Sequence, residues 1–134
     1  MTQRISDPNQ LSPETKILWE KQEGIIIIYN LPFRLFETLR SRERQIECFG
    51  NGSSKKEFSN HEMNKEGTGS EAWDVTKWGK DGWSWKDEDI FWYQILGIMT
   101  VSLIASVKWG ADWNGKSFWY DEKFRDYGHY ERII

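Results

Sequence analysis

The chain has 134 residues, a net charge of −3 and a charged fraction of 29% in which both signs are mixed along the sequence. That length predicts a single domain over residues 1–134, which would bury about two thirds of its unfolded surface, and the mixed charge offers no basic face for nucleic acid. Cys48 is the only cysteine, which excludes an internal disulfide and a cysteine-based zinc cluster and is typical of a reducing compartment.

The first predicted helix begins after Ser12, a capping residue that is followed by Pro13 and an acidic first turn. We expect this helix to end at Gly24. The β-branched residues 25–29 that follow predict a short buried strand. No hydrophobic stretch of signal-peptide length occurs in residues 1–10, so we do not expect export by the usual secretory route.

The middle of the chain predicts a second helix and a long loop. Residues 33–39 are ambiguous between strand and helix, and Ser41 can cap a helix over residues 42–49 that ends at a cluster of glycine and asparagine. Residues 53–69 are polar and predict a loop. A loop of that length in a small domain is usually functional or disordered.

The second half predicts an α+β domain, a small antiparallel sheet with helices packed on it. Ser84 is expected to cap a long apolar helix that runs from about residue 85 to 105. The remaining predicted segments are strands at 71–77, 107–109 and 127–133, a turn at 79–82 and a loop at 112–125.

The apolar segment of residues 90–107 carries no charge and reaches the minimum length of a membrane span. The run contains four polar side chains and Gly97, and acidic residues precede it. We therefore interpret it as the buried central helix of a compact domain and expect no stable membrane insertion.

His61 and His129, the only histidines, lie in two polar segments that are typical of two halves of one zinc site. Asp74 follows the first histidine along the chain. Two imidazoles and one carboxylate form the ligand set of a catalytic zinc, because three protein ligands leave a fourth position for water.

Asp126 lies three residues before His129, with Gly128 between them. We expect the glycine to let the backbone turn tightly, so that the carboxylate and the imidazole face one site. If His129 holds zinc, Asp126 can accept a proton from the activated water and return it to the leaving amine. This combination is typical of a metallopeptidase.

An ordered set of motifs extends over residues 12–134 and resembles the zinc-dependent peptidoglycan peptidases. That family includes D-alanyl-D-alanine carboxypeptidases and the L-alanyl-D-glutamate endopeptidases that serve as phage endolysins. The matching elements are Arg40-Ser41 with Gln45, Gly52, Ser59-Asn60-His61, Ala72 with Asp74, Trp109-Gly110-Ala111-Asp112-Trp113, and Asp126 with His129.

The resemblance implies roles for these positions. It makes His61, Asp74 and His129 the ligands of one zinc ion and Asp126 the general base and acid. Arg40 would hold a substrate carboxylate or polarise the scissile carbonyl, and the Ser59 hydroxyl would support the site by hydrogen bonding.

Two departures from the family pattern lie between the first histidine and the aspartate. Twelve residues, 62–73, separate His61 from Asp74, where the family has a shorter segment, and Ser70 stands where the family has glycine. Three other carboxylates therefore remain alternatives to Asp74 as the ligand: Glu62, Glu66 and Glu71.

Two further groups of residues are candidates for binding. Of the nine tryptophans, most are expected to pack in the core, whereas Trp78, Trp83 and Trp85 in a segment rich in glycine and lysine are candidates for contacts with glycan or peptide. An acidic group could bind calcium through oxygen ligands, although its spacing matches no standard loop: Asp112, Asn114, Asp121 and Glu122.

The resemblance implies a monomeric phage-type endolysin that hydrolyses the peptide stem of peptidoglycan, most simply as an L-alanyl-D-glutamate endopeptidase. It would be made in the host bacterial cytoplasm and would reach the wall after the membrane is permeabilised. Two alternatives stay open from the sequence. One is a D-alanyl-D-alanine carboxypeptidase, and the other is a non-catalytic wall-binding or phage structural module on the same fold.

Overall fold

The computed structural model describes residues 2–54, 56–111 and 126–134. Within these ranges the chain forms three α-helices and five strands, which confirms the predicted α+β class. In chain order the elements are α1 (Pro13–Ile28), β1 (Phe33–Glu37), α2 (Arg42–Gly50), β2 (Ala72–Gly79), β3 (Gly82–Ser84), α3 (Ile90–Leu103), β4 (Val107–Trp109) and β5 (His129–Arg132), with 3-10 turns at Pro8–Gln10 and Asp87–Asp89.

The strands form one antiparallel sheet in the order β1-β2-β5-β4, and β3 pairs with the far end of β2 as a hairpin. Trp73, Tyr130 and Trp109 lie directly opposite one another on three adjacent strands and are almost fully buried. Because directly paired residues share a face, this aromatic row lies on one side of the sheet. Apolar side chains of α1 and α3 complete the core against it.

Successive residues of a strand point to opposite faces. Asp74 follows Trp73, and His129 precedes Tyr130, so both polar side chains point away from the aromatic row. Asp74 and His129 are also directly paired between β2 and β5. The alternation that builds the core on one face therefore places the two residues together on the other face.

Helix α1 is longer than the sequence pattern predicts, and the predicted strand over residues 25–29 is wrong. The helix continues through Gly24 to Ile28. Ile25 and Ile26 pack into the core, whereas Ile27 and Ile28 are exposed. The helix therefore buries one of its sides at this end and leaves the other in solvent. The β propensity of four isoleucines is overridden by the tertiary contacts that the helical turn provides.

A buried polar contact joins both core helices to the central strand. Gln22 of α1 donates to Thr100 of α3 at 3.0 Å and accepts from the indole nitrogen of Trp73 at 2.8 Å. All of these polar atoms are satisfied, so their burial is compatible with a stable core. The contact fixes β2, the strand that carries Asp74.

Helix α3 begins later than predicted and is buried along only one side. Ser84 ends β3 instead of capping the helix, and its hydroxyl bonds to Asp89. Tyr93, Leu96, Gly97 and Thr100 are the helix residues that are buried. The opposite side exposes Phe91 and Ile98, and Leu103 at the end of the helix is also exposed. Among the described helices, none is long and apolar enough to cross a membrane.

Candidate active site

The polar face of the sheet forms the floor of a cleft of about 350 Å³. Glu37, Asp74 and His129 follow one another across β1, β2 and β5 in direct register. Glu131, two residues after His129, lies opposite Lys108 of β4. Period-two alternation and direct pairing thus place all five residues on one face, and all except Glu37 line the cleft.

His61 reaches this floor from the loop that precedes β2. Its carbonyl accepts a hydrogen bond from Arg40 N at 2.7 Å, and its Nδ1 donates to the Thr38 carbonyl at 2.7 Å. The Ser59 hydroxyl accepts from the His61 backbone N at 3.1 Å. Ser59 therefore supports the loop at the backbone of His61 and makes no hydrogen bond to its imidazole. The His61 residue is only 1% exposed.

The long segment between His61 and Asp74 folds into a turn of its own. Asn64 N donates to Gly69 O at 2.9 Å, and Gly67 N donates to Asn64 O at 3.1 Å, so the chain closes on itself before β2. Gly69 has φ of +140°, and a Cβ there would lie 2.6 Å from the backbone of Leu11. The extra residues are accommodated in this turn without shifting Asp74 from the cleft.

The alternative carboxylates have other surroundings. Glu62 pairs with Arg42 at 3.0 Å, Glu71 pairs with Arg132, and Glu66 is exposed. None of these three carboxylates lines the cleft, whereas Asp74 does. The geometry therefore favours Asp74 as the partner of the two histidines.

Both histidines point a ring nitrogen at the same oxygen of Asp74. The distances to Oδ1 are 3.2 Å from Nε2 of His61 and 3.0 Å from Nδ1 of His129. The remaining ring nitrogens face fixed acceptors, the Thr38 carbonyl for His61 and the Glu131 carboxylate, at 2.9 Å, for His129. One ligand atom from each of the three residues lies within 4.8 Å of the others.

This arrangement fits a bound divalent cation. Nε2 of His61 is buried and makes no hydrogen bond of acceptable geometry with any residue that the structure describes, although Asp74 is close. Two imidazoles and a carboxylate suit zinc. Metal-binding histidines usually donate their other ring N–H to a carbonyl or a carboxylate, as both histidines do here.

The cluster is strongly coupled electrostatically. Burial alone would raise the pKa of Asp74, but the neighbouring charge of His61 and the hydrogen bond from His129 hold that pKa well below its usual range. Burial alone would lower the pKa of His129, but hydrogen bonds to Asp74 and Glu131 raise it to about 10. The side chains thus favour an ionised carboxylate and a positive charge beside it, whether from a proton or from a cation.

Asp126 lies at the edge of this cluster. Its backbone N donates to Gly110 O at 3.0 Å, and its carbonyl accepts from His129 N at 3.1 Å. A Cβ on Gly110 would lie 2.3 Å from that carbonyl, so glycine is required for the close approach. Burial raises the pKa of the Asp126 carboxyl, and the neighbouring charge of Asp74 raises it further.

Gly128 has a different role from the one expected. Its φ is not positive, so the turn before β5 does not need glycine for its backbone conformation. A Cβ at this position would instead lie 2.5 Å from Val75 O and 2.9 Å from the Trp85 ring. Glycine is needed here because β2 and Trp85 pack directly against it.

Arg40 is buried beside Asp74. Its guanidinium donates to Glu37 at 2.7 Å and to Gln45 at 2.8 Å, and it lies 3.6 Å from Oδ2 of Asp74. Burial alone would lower the Arg40 pKa, but the hydrogen bond and charge of Glu37 raise it. The side chain is 10% exposed. Each terminal nitrogen donates within the protein, whereas the buried Nε has no hydrogen-bond partner among the described residues.

The structure does not bring Trp78 and Trp83 to the cleft. They pack on each other across the β2–β3 hairpin with ring centroids 5.6 Å apart, and arginine guanidinium groups cover both rings. Trp85 instead lines an adjoining cleft of about 270 Å³ that shares Ser53 and Asp126 with the first. Trp113 and the candidate calcium ligands lie outside the described residues: Asp112, Asn114, Asp121 and Glu122.

Sequence reasoning missed Glu131, Thr38 and Lys108. Glu131 could have been found, because a residue two positions after His129 in a strand must share its face. Thr38 contributes only a backbone carbonyl, which has no sequence signal. Lys108 becomes part of the site through the pairing of β4 with β5, a contact that only the fold specifies.

Comparisons with known proteins identify the family and the fold of the chain. A family model described as phage L-alanyl-D-glutamate peptidase matches residues 6–133. Among solved structures, the chain is similar to the L-Ala D-Glu endopeptidase ChiX of Serratia marcescens, with 21% sequence identity and a TM-score of 0.57 over 98% of this chain and 90% of that chain. At that identity the likeness shows a shared fold. No curated protein matches the chain.

Proposed function

Because the chain belongs to the phage L-alanyl-D-glutamate peptidase family, we propose that it is a zinc metallopeptidase in which His61, Asp74 and His129 hold one zinc ion. The family predicted from the motifs is confirmed, and membership makes the chain a peptidoglycan hydrolase. The metal, the roles of individual residues and the lytic role are the content of the proposal.

One observation carries the proposal of a metal. His61 and His129 each turn one ring nitrogen to Oδ1 of Asp74, and each has its other nitrogen fixed by an acceptor. Two imidazoles arranged around one carboxylate oxygen in this way offer three ligand atoms to a single ion. A bound zinc ion would act as a Lewis acid and lower the pKa of water to about 7.

Asp126 is the residue best placed to move protons. Its carboxylate lines the same cleft as the three ligands, and its backbone is held by Gly110 and His129. In the proposed reaction Asp126 takes a proton from the attacking water and passes it to the nitrogen of the leaving amine. General acid–base catalysis of this kind contributes about 10²–10⁴-fold to the rate.

Arg40 and Ser59 would act mainly by positioning. The Arg40 charge, 3.6 Å from Oδ2 of Asp74, favours the ionised carboxylate and restrains its rotation. Ser59 holds the backbone of His61. We propose that any contact of Arg40 with the scissile carbonyl is secondary, because its two terminal nitrogens already donate to Glu37 and Gln45 and its charge lies beside Asp74.

We further propose that the substrate is the peptide stem of peptidoglycan, cut between L-alanine and D-glutamate, and that the protein acts as an endolysin. The family name supports this bond. The open cleft, lined mostly by polar side chains, supports an extended peptide as the ligand. Lysis would then follow when the protein gains access to the wall.

The test combines metal analysis, kinetics and product identification on protein purified without chelator. We expect one equivalent of zinc, and we expect new L-alanine carboxyl termini and D-glutamate amino termini from purified sacculi. Asp126→Asn should retain zinc and lose about 10²–10⁴-fold in kcat, whereas His129→Ala should lose both zinc and activity. Release of free D-alanine instead, or full activity of the protein without metal, would contradict the proposal.

A further inference from the structure

Lys108 is a cation of the cleft that the proposed chemistry does not use. It is the central residue of β4 and lies directly opposite Glu131, which places it on the same face as the candidate zinc ligands. The residue is half-buried and lines the cleft. Arg40 reaches the cleft from the loop after β1, beside Asp74. The cluster of ligands therefore lies between two cationic side chains.

The two cations differ in what they contact. Arg40 is engaged by Glu37 and Gln45. Lys108 has no salt-bridge partner within 4.0 Å among the residues of the three described ranges. Its cross-strand neighbour Glu131 has both carboxylate oxygens occupied, one by His129 at 2.9 Å and the other by Asn60 at 2.6 Å.

Lys56 is the third cation of this cleft, and its situation is different. Burial alone would raise the pKa of Glu131, but the hydrogen bond and charge of His129 hold that pKa below the usual range, and the hydrogen bond from Asn60 and the charge of Lys56 act in the same direction. Lys56 therefore already acts on a carboxylate of the protein. Lys108 is the better candidate for a charge that faces a ligand.

The distance from Lys108 to the candidate metal site suits a contact next to the scissile bond. Two residues along a strand span roughly 7 Å and adjacent strands lie about 5 Å apart, so the Cα atoms of Lys108 and His129 are separated by roughly 8 Å. A lysine side chain extends over most of that distance. Its ammonium group can thus reach the part of a substrate directly beside the reacting carbonyl.

The chemistry of the substrate supplies a matching group. Cleavage of an L-alanyl-D-glutamate bond leaves glutamate on the amine side of the scissile bond. Whichever of its carboxyl groups forms the next peptide bond, the other stays free and ionised near pH 7. A carboxylate held close to Asp74, Asp126 and Glu131 needs a nearby cation, because like charges in such a site repel.

We propose that Lys108 binds the free carboxylate of this D-glutamate and is a specificity-determining residue of the peptidase. The inference rests on the proposed function. It also sets the orientation in which the substrate lies in the cleft. Glutamate lies toward β4, and the alanine side of the substrate lies toward the adjoining cleft that Trp85 lines.

The test uses two synthetic peptides that differ only at this group, one with the free carboxylate and one with a primary amide in its place. Wild-type protein should cleave the carboxylate peptide with kcat/KM higher by on the order of tenfold or more, the effect of one charged hydrogen bond. Lys108→Gln should remove that preference by raising KM for the carboxylate peptide only. Lys108→Arg should keep most of the preference for the carboxylate peptide.

Lys80→Gln is the matched control, because Lys80 is an exposed lysine in the turn between β2 and β3. It should retain the full preference for the carboxylate peptide. Lys108→Met, which keeps the aliphatic stem, serves as a second neutral variant, and zinc content with thermal unfolding monitors folding of each protein.

An unchanged preference in folded Lys108→Gln or Lys108→Met would overturn the inference. So would a wild-type protein that cleaves both peptides equally well. If wild-type protein with bound zinc cleaves neither peptide, the proposed function itself fails, and the role of Lys108 falls with it. The comparison of peptides within each protein separates these two failures.

Discussion

Glu131 accepts a hydrogen bond from Nε2 of His129 at 2.9 Å, and this contact leaves Nδ1 as the ring nitrogen that faces Asp74. Asn60 holds the other oxygen of Glu131 at 2.6 Å. The imidazole is thus fixed from both sides, since its two nitrogens meet different carboxylates. An acceptor of this kind sets the orientation of a metal-binding histidine and increases its basicity.

Glu131→Ala should weaken zinc binding by about 10–100-fold, because loss of such a partner frees the ring of the ligand. Competition with a chromogenic chelator measures the zinc Kd, and kcat on sacculi should fall in parallel at limiting zinc. Glu131→Gln, which keeps an acceptor oxygen, should give a smaller loss.

Glu66→Ala is the control for this experiment, because Glu66 is an exposed carboxylate of the turn between His61 and Asp74. Its zinc affinity should equal that of wild-type protein. A Glu131→Ala protein with wild-type zinc affinity would show that Glu131 does not orient His129. A large loss in Glu66→Ala would instead reopen Glu66 as a ligand.

The candidate ligands could be predicted from the sequence because the chemistry depends on rare residue types. The chain has two histidines, and both lie in motifs of the family. Asp74 could be placed because its context predicts a strand, and β2 holds it there. The geometry that makes these residues a site comes from register, which pairs Asp74 with both Glu37 and His129.

Other features could not be predicted, and the reasons are physical. The four isoleucines of residues 25–28 fit a strand or a helix equally well by composition, and only packing against the sheet decides between them. In the sequence, Trp78 and Trp83 are candidates for ligand contacts because they lie in a polar, glycine-containing segment. In the fold they pack edge-to-face against each other, and arginine guanidinium groups lie over both rings.

The pKa of His129, raised from 6.5 to about 10, predicts how the stability of chelator-treated protein depends on pH. A folded-state pKa above the unfolded value means that the protonated imidazole stabilises the fold. This stabilisation is complete below pH 6.5 and is lost as the pH rises toward 10. We expect the melting temperature of the chelator-treated protein to fall between pH 7 and pH 10.

His129→Gln is the comparison that isolates this effect, because it removes the titrating group. Its melting temperature should vary less over the same range than that of wild-type protein. Zinc binding must displace the proton from His129, so zinc affinity of wild-type protein should increase from pH 7 to pH 9. Parallel pH profiles for the two chelator-treated proteins would contradict the assigned cause.

Trp85 and Trp83 should differ in their effect on substrate binding. Trp85 lines the cleft that adjoins the candidate site, whereas Trp83 packs against Trp78 and Arg4. An aromatic contact contributes about 0.5–1.5 kcal/mol, so Trp85→Ala should raise KM by roughly twofold to tenfold. Trp83→Ala should leave KM close to the wild-type value, and an equal rise in both variants would argue against a substrate path along Trp85.

Two helical glycines should respond to alanine in opposite directions. Gly97 of α3 faces the indole of Trp109, and a Cβ there would lie 2.1 Å from the ring. Gly97→Ala should therefore lower the free energy of unfolding by about 1–3 kcal/mol through overpacking. At Gly24 of α1 a Cβ would meet no atom within 4 Å, so Gly24→Ala should raise the free energy of unfolding by about 0.5–1 kcal/mol.

The Gly97 contact also bears on the site. The indole nitrogen of Trp109 donates to Tyr127 O at 2.9 Å, two residues before His129, so displacement of the ring should disturb the start of β5. Urea denaturation of the zinc-loaded proteins measures both stability changes, and the zinc Kd should weaken in Gly97→Ala but not in Gly24→Ala. If Gly97→Ala were as stable as wild-type protein, α3 would not pack closely on Trp109. That packing would then not position His129.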